Sequence, residues 1–471
     1  MRITVKLVGW CGVMAVTACG GGGGGAAGEG GSASAGSATP ERAALVAKID
    51  SIINAPISAG QLVGASIAVV KGTDTIAVKG YGKANLELDV PTPPRTTYEI
   101  GSVTKQFTGA AIMQLVEQGK LSLDDDLQQY VTFETKGRKI PVRRLLDHTS
   151  GIKGYTEMPE FGGIIAERHP RDTLLKLVAS QPFDFEPGEE QIYNNSAFFL
   201  AGLVIEKISG MSYEAYVQKQ LFDKAGMTDA HYCSERTVRK GKATGYDSDS
   251  AGPVQKGPIS HLWPYAAGSL CSSAIDLVAW NEALHRKGTI LGAEAYKEFI
   301  TPGTLNDGNA VGYSKGIATY NRLGRRALHH GGGIPGFVSE NLYFPDDSLS
   351  VVVLFNTAGP ASAGAAAEAI AEAVLGKGPD AAKPVEGELA RYAGTYAGRG
   401  RGRPTEVTMR VDGSTLTVKG GSPTDSARAL TYVGNNTFAR EYTRYIFVER
   451  DGQVTAVRMD AGYGSNLLPR K

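Results

Sequence analysis

Apolar positions along the chain follow two different spacings. In 41–57 and again in 363–375 they return every three or four residues, the period of a helix buried along one face, and Pro40 is well placed to open the first. The spacing predicts further helices from Ser102 to Gly119 and at 173–180, 197–208, 213–219 and 277–285. Short runs rich in β-branched residues predict strands at 63–71 and 75–79, joined by Gly72-Thr73-Asp74. More follow at 316–320, 338–344 and 350–356, the last two bent at Pro345-Asp346-Asp347-Ser348. Strands early and late with helices between them predict an α/β chain of the α+β type: an antiparallel sheet flanked by helices, with an all-helical insertion. From residue 388 onward short strands alternate with Asp412-Gly413, Asn435-Asn436 and Asp451-Gly452 turns, as in a small C-terminal β-barrel or sandwich.

Composition punctuates this pattern. Arg2 and Lys6 precede an apolar run at 7–18, too short for a membrane span and flanked as a secretory signal is. Val16-Thr17-Ala18-Cys19 resembles a bacterial lipobox, which implies cleavage before Cys19 and lipid on its thiol; cleavage within the following glycine run is the alternative. The Gly/Ala/Ser stretch after it is a tether with nothing to bury. The expected organisation is therefore a signal at 1–18, a lipidated Cys and tether at 19–40, a large α+β domain at 41–376, a Pro/Gly/Ala linker at 377–387 and an all-β domain at 388–471. Gly20 after Cys19 places the expected anchor on the periplasmic side of the outer membrane if the cell has two membranes.

Candidate chemistry begins at Glu99-Ile100-Gly101-Ser102-Val103-Thr104-Lys105, which sets a serine three residues before a lysine at the head of an apolar helix. Residues at i and i+3 share a helical face with Cβ atoms about 5–6 Å apart. A lysine desolvated there can lose its proton and take one from the hydroxyl. The same spacing recurs at Ser150-Gly151-Ile152-Lys153, where the glycine favours a turn and separates the pair. Tyr193 and Asn195 enter the helix at 197–208 after Pro187-Gly188, and either they serve chemistry or Asn195 or Ser196 caps and Tyr193 packs. His329-His330-Gly331-Gly332-Gly333 is either an oxyanion-hole segment, its glycines admitting backbone N–H groups to a ligand, or a flexible loop.

In this order, Ser102/Lys105, Tyr193/Asn195 and His330/Gly332 resemble the penicillin-recognising serine hydrolases: class C β-lactamases, D,D-peptidases, and the esterases and D-aminopeptidases of that fold. Leu145 to Ile152, Phe185-x-Pro187-Gly188 and Ala267-Gly268-Ser269 extend the likeness over roughly 41–376. The resemblance implies Ser102 as acylated nucleophile, Lys105 as its proton-relay neighbour and Tyr193 as base and acid. Asn195 would hold Lys105 and the substrate amide, and the N–H groups of Ser102 and Gly333 would form the oxyanion hole. His330 stands where many members carry the lysine of Lys-Thr-Gly, and Gly331 lacks the threonine hydroxyl that would help hold a carboxylate. Histidine is mostly neutral at pH 7, so esters or D-amino-acid peptides and amides are expected above β-lactams. An α/β-hydrolase reading of His330-Gly331-Gly332-Gly333 needs a downstream Gly-x-Ser-x-Gly elbow, but Gly312-x-Ser314-x-Gly316 lies upstream and precedes a strand.

The balance of 49 Lys and Arg against 48 Asp and Glu gives a net charge of +1 and argues against nucleic-acid binding. No His-Glu-x-x-His or Cys/His grouping suggests a metal, and no cofactor is expected. With Cys11 in the signal and Cys19 lipidated, Cys233 and Cys271 are left in an oxidising compartment, where they are expected to pair; two buried thiols are the alternative. The chain reads as a secreted, lipid-anchored serine hydrolase of the cell envelope acting on a small ester, peptide or amide, its membrane contact made through the lipid. A class C-type β-lactamase, a D,D-carboxypeptidase and a non-enzymatic cell-wall-binding protein are the alternatives.

Overall fold

The computed structural model describes residues 39–378, 382–400, 403–422, 425–440, 443–460 and 464–471, so Cys11 and Cys19 lie outside the described residues. Seven strands make the main sheet: β1 (Gly64–Lys71), β2 (Asp74–Asn85), β3 (Val90–Pro91), β4 (Ala318–Arg322), β5 (Arg325–Ile334), β6 (Phe337–Phe344) and β7 (Leu349–Phe355). Their spatial order is β4-β5-β6-β7-β1-β2-β3, antiparallel throughout. Early and late segments of the chain thus meet, with Ile67 of β1 opposite Val353 of β7.

Both sheet faces are covered, which explains the apolar run Val351-Val352-Val353-Leu354-Phe355 of β7. Successive side chains in a strand point to opposite faces. Ile67, Val69, Val351, Val353 and Phe355 join Ile49, Ile53, Ala367 and Ile370 of the helices α1 (Pro40–Ser58) and α4 (Ala363–Leu375). Ala68, Val352 and Leu354 face the other way, into the larger core around Val103, Phe107 and Trp280. That core surrounds α2 (Thr104–Glu117), buried from Thr104 through Leu115, with Phe107 stacked on Trp280 at 4.1 Å between ring centres. Two glycines let the 312–317 loop press on α2 backbone to backbone. A Cβ on Gly109 would stand 1.8 Å from the Lys315 carbonyl oxygen, and one on Gly316 2.1 Å from that of Lys105. The insertion contributes α3 (Asn195–Ser209), which crosses α2. No helix among the described residues is long and apolar enough to cross a membrane.

Two features depart from the sequence pattern. The glycine run is not a loop: β5 carries His330 to Gly333 in unbroken register with β6, Gly332 opposite Ser339. A strand whose residues lack side chains shows no alternation to read, although its backbone pairs normally. In the C-terminal region no barrel closes among the described residues. A four-stranded and a six-stranded sheet share one apolar core that includes Tyr396, Met409, Phe438 and Leu468. The sixth strand of the larger sheet is Gln191–Ile192, from the hydrolase region itself.

Candidate active site

Ser102 sits in a 3₁₀ turn, Gly101–Val103, immediately before α2. Gly101 has φ +50°, and a Cβ there would approach the Gly333 nitrogen to 3.0 Å, so a glycine lets this turn lie against β5. One helical turn on, Lys105 is wholly buried. Its Nζ lies 2.8 Å from Asn195 Oδ1, 2.8 Å from the Ala267 carbonyl oxygen and 3.1 Å from Ser102 Oγ. The first two can only accept, so each takes an N–H and the remaining position of the nitrogen faces the serine hydroxyl. Burial holds the Lys105 ammonium well below the usual lysine range. A neutral amine in this place directs its lone pair at Ser102.

Tyr193 completes the group: Lys105 Nζ lies 4.7 Å from the centre of its ring. The residues on either side of Tyr193 are both held by His148, whose carbonyl accepts from Ile192 N at 3.0 Å and whose Nδ1 accepts from Asn194 N at 3.1 Å. The His148 ring also lies against Tyr193, 4.4 Å between centres. This link between His148 and Tyr193 depends on folding residues 148 and 193 together, and Leu145 to Ile152 carries its one signal in the sequence. The cap of α3 is Asn194, whose Oδ1 accepts from Ala197 N at 2.9 Å, rather than Asn195 or Ser196. Asn195 is thereby left to Lys105, and its Nδ2 donates to Thr156 Oγ1 at 3.1 Å.

His330 is placed differently from the substrate-facing position expected. Its ring is buried, with Nδ1 donating to the Gly331 carbonyl oxygen at 2.6 Å and Nε2 accepting from Tyr313 OH at 2.8 Å. Burial holds His330 well below the usual histidine range. It is a neutral group behind the strand, and Tyr313, which sequence reasoning missed, occupies the nitrogen that could have met a ligand. Gly332 is pressed between the Ile100 carbonyl and Ser339 Oγ, whereas Gly333 is exposed with nothing within 4 Å of a Cβ built on it. A cavity of about 150 Å³ opens at Ser102, Asn195 and Gly333 and is walled by Tyr155, Phe161, Ile165, Ile259, Ile334 and Pro335. Its described lining holds no charged side chain.

The scaffold behind the serine is cross-linked. Cys233 and Cys271 form a disulfide. Cys271 lies opposite both His231 and Glu99 in a small three-stranded sheet. Glu99, three residues before Ser102, is buried between Lys256 at 2.8 Å and Lys242 at 2.9 Å. Burial opposes its charge, but His261, Lys256 and Lys242 more than offset that and hold its carboxyl below the usual range. The decoy Lys153 pairs with Asp184 at 2.9 Å, and Ser314 donates to the Ile317 carbonyl oxygen at 3.2 Å ahead of β4.

A beta-lactamase family model matches residues 49–375, so the chain belongs to the beta-lactamase family. It is 28% identical over 320 residues to Protein flp of Staphylococcus aureus (strain MRSA252), covering 66% of this chain and spanning 62% of that protein's length. It is 30% identical over 290 residues to PbpX of Bacillus subtilis (strain 168), named as a penicillin-binding protein, covering 61% of this chain and 69% of the relative. Among solved structures, an octameric penicillin-binding protein homologue from Pyrococcus abyssi superposes with a TM-score of 0.62 at 27% identity, over 90% of this chain and 99% of that one. A D-stereospecific amidohydrolase from Streptomyces sp. gives 0.59 at 25% identity, over 70% and 98%.

Proposed function

We propose that this member of the family is a hydrolase working through an acyl-enzyme on Ser102, with esters or D-amino-acid amides that carry no carboxylate as substrates. The observation that carries the reading is the buried Lys105 amine, held by two acceptors and set 3.1 Å from Ser102 Oγ. Ser102 Oγ attacks the acyl carbon as its proton passes to the Lys105–Tyr193 pair. The charge that develops on the carbonyl oxygen is met by the N–H groups of Ser102 and Gly333. Tyr193 delivers a proton to the departing alcohol or amine, and water then repeats the sequence in reverse to free the acid.

The chemistry of the cavity supports substrates without a carboxylate. A β-lactam or a D,D-peptide presents a carboxylate, and no cation stands in the described lining to receive it. Its apolar walls suit a short acyl chain or a single ring. The named activity of the Streptomyces relative favours D-configured amides as the nitrogen substrates. The chain is further proposed to be secreted and held in the cell envelope by lipid on Cys19, which palmitate labelling of wild type against Cys19→Ala tests. For the hydrolase itself, p-nitrophenyl esters, D-amino-acid amides, a D-Ala-D-Ala peptide and nitrocefin are assayed on one purified sample. Esters or D-amides are expected to turn over fastest, and Ser102→Ala to turn over none. Nitrocefin as the best substrate contradicts the neutral-cavity reading, and absence of turnover on the whole panel favours a cell-wall-binding protein.

A further inference from the structure

The segment that delivers Tyr193 is gripped on two sides, and one of them belongs to the C-terminal sheets. On the hydrolase side, Ile192 N donates to the His148 carbonyl at 3.0 Å, and the buried Gln191 donates through Nε2 to the Asp147 carbonyl at 3.2 Å. On the other side runs the last strand of the chain, Gly464–Pro469, with Gly464 opposite Ile192 and Ser465 opposite Gln191. Asn466 Nδ2 donates to Glu190 Oε2 at 3.2 Å. A second connection lies one strand further in. The buried Arg458 guanidinium pairs with Asp307, whose neighbour Asn306 bonds the Pro187 and Gly188 carbonyls at 2.9 and 2.8 Å.

We propose that the strand Gly464–Pro469 is a positioning element of the hydrolase site, fixing Tyr193 against Lys105 through the backbone of residues 190–192. The proposal rests on the assignment of Tyr193 as acid and base. Its physical basis is the pairing itself. A two-residue strand bonded on one side alone shifts more freely than one paired with Gly464–Ser465 on one side and bonded to Asp147 and His148 on the other. Tyr193 follows that strand directly, so a slip of the strand is a slip of the phenol. Displacements of about 1 Å at a reacting group can cost about 10²-fold in rate. The C-terminal region then contributes to turnover without any of its side chains touching substrate.

The test uses the full chain with a p-nitrophenyl ester at 25 °C. Asn466→Ala removes the bond to Glu190, and Ser465→Pro removes an amide from the paired strand. Each is expected to lower kcat by about 10-fold, part of the cost of misplacing a reacting group, with KM little changed. Leu416→Ala, on the other C-terminal sheet where it joins the core the two sheets share, is expected to lower the unfolding temperature yet leave kcat near wild type. In a Tyr193→Phe background Asn466→Ala is expected to have no further effect, since the group it positions is gone. An equal fall of kcat in both backgrounds, or in Leu416→Ala, overturns the proposal. Normal turnover by both strand variants beside a crippled Tyr193→Phe overturns it alone. Normal turnover by Tyr193→Phe removes the functional reading and the proposal together.

Discussion

Two adjacent glycines of β5 are expected to answer the same substitution in opposite ways. A Cβ on Gly332 would stand 2.0 Å from the Ile100 carbonyl oxygen and 2.3 Å from Ser339 Oγ. Side-chain Cβ atoms do not come closer to such groups than about 3 Å, so β5 and the Ile100 carbonyl must part by about 1 Å. That carbonyl is the acceptor that closes the turn around Ser102, taking Val103 N at 3.2 Å, and it is also clamped by Ser339 Oγ at 2.9 Å. Parting the two therefore separates Ser102 N–H from Gly333 N–H, the two donors assigned to the oxyanion. At about 1 Å the expected loss in kcat/KM is about 10²-fold, or about 2.7 kcal/mol of transition-state stabilisation. Overpacking should also cost the fold about 1–3 kcal/mol, so the assay is run well below the measured unfolding midpoint. Gly333→Ala meets nothing within 4 Å. It should hold stability within about 0.5 kcal/mol and p-nitrophenyl acetate turnover within about twofold. Gly332→Ala with wild-type kcat/KM would refute the claim that this carbonyl contact sets the oxyanion geometry.

The same geometry leads to three further expected outcomes. Tyr193→Phe should lower kcat at least about 10²-fold while leaving the fold intact, the low end of general acid–base effects, as steady-state kinetics and circular dichroism would show. The disulfide closes a loop with a sequence separation of 38, so replacing both Cys233 and Cys271 by serine should cost about 3–4 kcal/mol in urea unfolding on the chain-entropy relation; a cost below 1 kcal/mol would contradict that. His330 has a folded pKa depressed below its unfolded value of about 6.5, so between those two values the unfolded state binds the extra proton and stability falls as pH falls. His330→Leu should flatten the curve of unfolding free energy as pH falls below about 6.5, and an unchanged curve would contradict the burial of a neutral ring there.

The parts of the fold that were legible in the sequence are those with a side-chain period. Ala363–Leu375 was expected at those bounds, and α1 and β1 within a residue, because their apolar positions recur at helical or strand spacing. Ser102, Lys105 and Asn195 could be found because they lie at fixed offsets from a helix start, and they do meet in one cluster with Tyr193. What stayed hidden depended on contacts between distant segments. The strand β5 was masked by its own glycines, the burial of His330 depends on Tyr313, and the role of His148 is shared between its carbonyl and its ring, both set against a segment distant in sequence. The pairing of Gly464–Pro469 with Gln191–Ile192 joins residues far apart in sequence, and two-residue strands carry no pattern at all.

The central claim is that an acyl group passes through Ser102. Rapid acid quench of the enzyme turning over a p-nitrophenyl ester, followed by peptide mapping in a mass spectrometer, tests it directly. The account predicts the acyl mass on the peptide containing Ser102 in wild type and its loss in Ser102→Ala. An adduct on another residue, or turnover surviving in Ser102→Ala, would contradict it.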